Sequence, residues 1–122
     1  MKINFVRKIW YNIYINIWFL IMGFKEVKRK LIDCLKSGNY DHETIRKDLD
    51  IKNVFLTGIL SENELIEIIK YSTGNQYELS KHHADSSIEI HIIKTKKDEK
   101  KWYIKFYFVE PNTIFISVHQ SE

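Results

Sequence analysis

The sequence has one cysteine, one proline and four glycines. A single cysteine, Cys34, excludes an internal disulfide and any cysteine-rich zinc site. It falls in an amphipathic pattern with Leu31 and Leu35 and reads as a small buried hydrophobe. There is no Walker loop, no G-x-G-x-x-G, no G-x-S-x-G and no H-E-x-x-H, so the usual signatures of nucleotide, dinucleotide, serine-hydrolase and zinc-protease sites are missing. Internal repeats, linkers and low-complexity tracts are missing too. The net charge of +3 comes from Lys2, Arg7 and Lys8; from Met22 onward 16 basic residues meet 16 acidic ones. A globally basic nucleic-acid binder is therefore excluded, and any such affinity needs a local patch. TKKDEKKWYIK is one candidate, with Lys96, Lys97, Lys100, Lys101 and Lys105 against Asp98 and Glu99. A solvated hairpin tip is the competing reading.

The 122 residues suit one domain with its own core. Residues 1–22 stand apart as an apolar N-terminal extension to a single domain over 23–122. Three positive charges precede a run from Ile9 to Met22 that Asn12 and Asn16 interrupt. The run is shorter than the roughly 18–20 apolar residues of a spanning helix, and no small-residue cleavage site follows. An upstream start codon ahead of Met22 is the adopted reading. A membrane-associated segment and a packed element are the alternatives. With no spanning segment, the domain is expected to be cytoplasmic.

From Met22 the periodicity predicts a helix over Lys25–Ser37, closed by Gly38. A second helix is expected in HETIRKDLDIKNVFLTG, N-capped by Asp41 and ended by Gly58, with a short strand over Val54–Thr57 as the alternative for its end. SENE is a capping box, in which Ser61 and Glu64 satisfy each other's backbone amides, and Leu65, Ile66, Ile68 and Ile69 form the apolar face behind it. Gly74 is the expected stop. Tyr77 and Leu79 alternate with polar residues as a short strand, and SKHHADSS is a polar loop. Three runs of period two follow: Ile88–Ile93, Trp102–Val109 and Thr113–His119. Pro111 lies in the turn between the last two, where no ladder donor is needed. The fold class is α+β, with N-terminal helices on one face of a C-terminal antiparallel β-meander.

Strand parity sorts the histidines of KHHADSSIEIHIIKT. Even-numbered strand residues are apolar and should pack on the helices. The odd face should then carry His91, Tyr103, Lys105, Tyr107, Phe115, Ser117 and His119, with Lys94 beside it and the loop of His82 and His83 over its end. A pairing of Val109 with Thr113 would set Tyr107 opposite Phe115, Lys105 opposite Ser117 and Tyr103 opposite His119. A solvated sheet face with cross-strand aromatics accounts for these residues without any function. The functional reading is phosphate and base recognition. Lys105 offers a cation, Tyr103 and Tyr107 can stack a base, and His119 with His82 or His83 can act as base and acid. Tyr107, His91, Lys94 and Ser117 would complete the substrate contacts. RNA cleavage through its own 2′-hydroxyl needs only these groups, so no metal or other cofactor is expected. A metal set from His82, His83, Asp85 and His91 competes, without a recognised ligand spacing.

WYIKFYFVEPNTIFISVH, preceded by LTGILSENELIEII, resembles the C-terminal half of MqsR-type toxins, small bacterial mRNA interferases with a RelE-like (barnase/colicin/RelE-class) fold. The resemblance spans roughly residues 60–119. It implies helices ahead of an antiparallel sheet and metal-independent cleavage of RNA from the open sheet face. By position, Tyr103 would stand for an active-site tyrosine, and His119 for a basic residue of the last strand. The family's helix lysine falls near Glu67. A cognate antitoxin protein is the partner that the resemblance implies. A non-catalytic protein- or nucleic-acid-binding module using the same face is the other function class.

Overall fold

A computed structural model describes residues 23–121, and residues 1–22, with the extension read above, lie outside the described residues. A helix spans residues 23–37 (α1). Gly38, at φ 74°, closes it: its amide reaches the Leu35 carbonyl, and the Asn39 amide reaches the Cys34 carbonyl at 2.9 Å. This pair of bonds satisfies carbonyls that the last helical turn leaves open, and only a left-handed residue permits it. The expected second helix does not form as one piece. Tyr40–His42 is a strand (β1), Leu49–Lys52 is a single helical turn (α2), and turns carry the chain to Leu60. Ile45, within that stretch, is fully exposed. Asp41 lies within β1 and caps nothing. The chain is held here by Asn53, itself fully buried. Its side chain donates to His42 Nδ1 at 2.9 Å and accepts from the Leu56 amide at 3.0 Å.

The capping box forms as read, and α3 runs Glu62–Tyr71 with Leu65, Ile66, Ile68 and Ile69 buried. Its last turn ends at Ser72, ahead of Gly74, and the Lys28 ammonium donates to the carbonyls of Lys70 and Ser72 at 2.7 Å each. A cation at the negative end of a helix satisfies its open carbonyls, and here it ties α1 to α3. A 3₁₀ turn at Gly74–Gln76 leads into β2 (Tyr77–Lys81), followed by β3 (Glu89–Lys97), β4 (Lys100–Val109) and β5 (Asn112–Ser121). The sheet order is β1-β5-β4-β3-β2, antiparallel except for the parallel β1–β5 pair. The α+β class with helices on one sheet face therefore holds, with the expected short strand β2 and one further strand, β1, flanking the meander.

Parity holds for β4 and fails for β3. Ile93 pairs with Ile104 and His91 with Phe106, both on the helix side, while Ile92 pairs with Lys105 on the second face. The two strands pair odd to even, so their faces alternate out of step by number. In β5 a bulge at Ile116 splits the strand. Tyr103 pairs with His119 and Lys105 with Ser117, as expected, but Phe106 then meets Phe115, and Val109 meets Asn112, not Thr113. One extra residue restores core alternation, so Phe115 and Val118 both point into the main core, fully buried. That core joins Leu31, Leu35, Leu65 and Ile69 to Ile93, Ile104, Phe106 and Phe115. Each such side chain is worth about 1.5–3 kcal/mol of burial. A smaller apolar cluster of Ile90, Ile92 and Ile116, edged by Tyr103 and Tyr107, lies on the opposite face. No helix among the described residues is long and apolar enough to cross a membrane.

Candidate functional site

The second face is bordered by two segments that the strands position. One is the stretch after β1. The Glu43 amide bonds the Phe115 carbonyl at 2.9 Å, continuing the parallel register by one residue. Tyr40 and His42 point into the aromatic group with Phe55 and Phe115, so alternation turns Glu43 to the second face. The other segment is the β2–β3 loop. It is closed by the His82 amide on the Ile88 carbonyl at 3.0 Å and by Asp85, which accepts from the Ser87 amide and hydroxyl.

These segments meet at Glu43. Its Oε1 accepts from His82 Nε2 at 2.8 Å and from the Tyr107 hydroxyl at 2.8 Å. His82 Nδ1 accepts from the Ala84 amide at 3.1 Å, which leaves the ring proton on Nε2, facing the carboxylate. Burial by itself would raise the Glu43 pKa; the hydrogen bonds from His82 and Tyr107 outweigh it, and the carboxyl sits below its usual range. The Tyr107 hydroxyl is pushed up to about 12, by burial first and then by the Glu43 bond. His83 stacks on His82 with ring centroids 5.0 Å apart and is exposed.

Arg46 approaches the same face. Its Nη1 donates to the Ile116 carbonyl at 2.7 Å and to Ser117 Oγ at 2.8 Å. The bulge turns that carbonyl toward the loop, which is a use bulges often serve. Lys105 is the cross-strand partner of Ser117, so it stands at the strand position opposite the residue that Arg46 binds. Lys105 makes no ion pair among the described residues.

At the far end, Tyr103 stacks on His119 at 5.2 Å with 22° between planes. His119 Nδ1 donates to the Gln120 carbonyl at 2.9 Å, so Nε2 is the free ring nitrogen. Lys94 pairs with Tyr103 across the ladder and with the Glu78 carboxylate at 2.8 Å.

The structure thus brings Tyr103, Lys105, Tyr107, Ser117 and His119 to one face and sets His82 and His83 at its margin. His119 and His82 lie at opposite ends, because Tyr103 and Tyr107 are four residues, about 13 Å, apart along β4. Ser117 is buried and taken up by Arg46, so its hydroxyl is a brace, not a free substrate contact.

His91 is a correction: it lies on the helix side, 7% exposed, 2.6 Å from the Tyr77 hydroxyl and stacked on Phe106 at 5.3 Å. It cannot touch a substrate on the second face. Glu43 and Arg46 were missed because their stretch reads as helix. The alternation Tyr40, Asp41, His42, Glu43 was the available signal. Among the described residues no three His, Cys, Asp or Glu side chains converge as a metal set. Compared with protein-family models, curated proteins and solved structures, the chain matches none.

Proposed function

We propose that the second sheet face binds single-stranded RNA and cleaves it without a metal, as an mRNA interferase toxin acting in the cytoplasm. The observation that carries this reading is that Arg46 binds Ser117, the cross-strand partner of Lys105, on the face that also carries Glu43 and a free histidine nitrogen of His119. A phosphodiester seated on the two cations lies between Glu43 and His119. Base and acid must sit on opposite sides of the phosphorus. Two hydrogen bonds plus the O–P–O span separate them by roughly 9 Å, less than the roughly 13 Å between the β4 positions beside them, so in this reading both side chains reach inward to the phosphate.

Each group then has a role. The second carboxylate oxygen of Glu43 takes the 2′-hydroxyl proton, and the 2′-oxygen attacks phosphorus. Lys105 and Arg46 hold the charge that develops on the equatorial oxygens. The bond from phosphorus to the 5′-oxygen breaks, and the imidazolium of His119 donates its Nε2 proton to the leaving oxygen. The products are a 2′,3′-cyclic phosphate and a 5′-hydroxyl. Tyr103, stacked on His119, offers a ring for the adjoining base. His82 and Tyr107 position the Glu43 carboxylate, and His83 extends the face. The resemblance to MqsR-type toxins supports the class and implies a cognate antitoxin.

One observation favours a second reading, a non-catalytic RNA-binding face. Both ring nitrogens of His82 and one Glu43 oxygen are already engaged within the protein. The deciding experiment incubates purified full chain with single-stranded RNA in EDTA. Cleavage with cyclic-phosphate ends is expected, with Glu43→Gln and Lys105→Ala each slowing it by roughly 10²-fold or more. RNA retention without cleavage would establish the second reading. Neither retention nor cleavage, with no growth arrest on expression in bacteria, would reject both.

A further inference from the structure

The outer edge of β5 carries a second feature, which shares His119 with the face described above. β1 covers the first part of that edge, and Asn53 bridges Val118 in the parallel sense, with the Val54 amide on the Val118 carbonyl at 2.8 Å. Beyond Val118 no described residue pairs with that edge. In an antiparallel strand alternate residues send their N–H and C=O to the same side. The Val118 carbonyl points outward, so both backbone groups of Gln120 do as well. The carbonyl receives the His119 ring N–H. The amide faces a trough of about 700 Å³ that has Ile51, Val54, Ile59, Leu60 and Trp102 in its walls.

Two properties of this trough select an occupant. Ile51 and Ile59 are 64% and 74% exposed, although nothing in the fold requires large apolar side chains in water there. Lys52 and Lys100 also line it, and among the described residues neither has a carboxylate within ion-pair distance. Glu64, the one acidic lining residue, has its carboxylate on the Ser61 amide in the capping box.

We propose that the trough binds an extended peptide segment of a partner protein, added as a short strand beside Gln120. Its apolar side chains would lie between Ile51 and Ile59, with Asp or Glu side chains on Lys52 and Lys100. An open ladder edge supplies the main-chain recognition, and alternate side chains supply the specificity. RNA fits less well: the two isoleucines offer neither hydrogen bonds nor rings, and Trp102, at 7% exposure, presents little face for stacking. This inference does not rest on RNA cleavage, and Glu43→Gln is expected to leave peptide binding intact.

The test is selection of displayed random seven-residue peptides on the full chain. The enriched sequences are then synthesised, and their sites mapped by amide chemical shifts. Peptides alternating Ile, Val or Leu with Asp or Glu are expected, shifting Gln120 and residues 51–60. Ile59→Asp and the pair Lys52→Glu/Lys100→Glu should each weaken binding by roughly tenfold or more, with unchanged circular dichroism and melting. These side chains are exposed, so folding is not at stake. The proposal is overturned by no enrichment, by basic peptides, by binding that both variants leave unchanged, or by trough shifts produced only by single-stranded RNA or a second copy of the chain.

Discussion

His91 makes the stability of this protein depend on pH in a calculable way. Burial first, and then the nearby Lys30 charge, push its imidazole down to about 4 from an ordinary 6.5. Between those values the unfolded chain binds a proton that the folded protein does not, so stability rises with pH and is lost on acidification through the same window. The gap corresponds to about 3 kcal/mol in full, of which about 2 kcal/mol falls between pH 7 and pH 5. That is a large share of the 5–15 kcal/mol typical of a domain. Urea unfolding at pH 7 and pH 5 measures it, with His91→Gln as the comparison. Glutamine retains an acceptor for Tyr77 but does not titrate. His42 is also pushed down, by burial, and Asp41 opposes the shift only in part. It titrates in both proteins, so the difference between them isolates His91. Wild type should lose about 2 kcal/mol more than His91→Gln over this range. Parallel losses in the two proteins would refute the buried, neutral assignment of His91.

Two further predictions concern the scaffold. Ser61→Ala removes the acceptor for the Glu64 amide and should cost about 1 kcal/mol, read as a melting temperature lower by about 4–8 °C. Glu99 sits at φ 64° beside Asp98 at φ 53° in the two-residue β3–β4 turn. Glu99→Gly suits that conformation and should raise stability by about 0.5–1 kcal/mol in the same melts; a lower melting temperature would contradict it.

Local chemistry explains what could be read in advance. The capping box at Ser61 and Glu64, the stop at Gly38 and the period-two run of β4 each depend on neighbours within a few residues. The pairings of Tyr103 with His119 and of Lys105 with Ser117 match the expected ones only because two differences cancel: Val109 meets Asn112 in place of Thr113, and the bulge at Ile116 restores the offset. What failed involved partners distant in sequence. The bulge at Ile116 restores the alternation of Phe115 and Val118 and gives Arg46 a carbonyl to bind. Nothing in TIFISVH announces it. The stretch after Asp41 carries helical spacing, yet pairing with β5 and the buried Asn53 override that weak preference.

The sequence by itself determined the α+β class, the absence of an internal disulfide, the helix ends at Gly38 and Ser61 and most of the tyrosine, lysine and histidine set of one sheet face. Tertiary structure alone decided which groups meet there. It moved His91 to the helix side because β3 pairs odd residues with even ones. It carried Glu43 and Arg46 to the face because β1 adds to the edge of β5, more than seventy residues along the chain. Side-chain parity is a local property, but the register between strands is not: it is set by how the whole core closes.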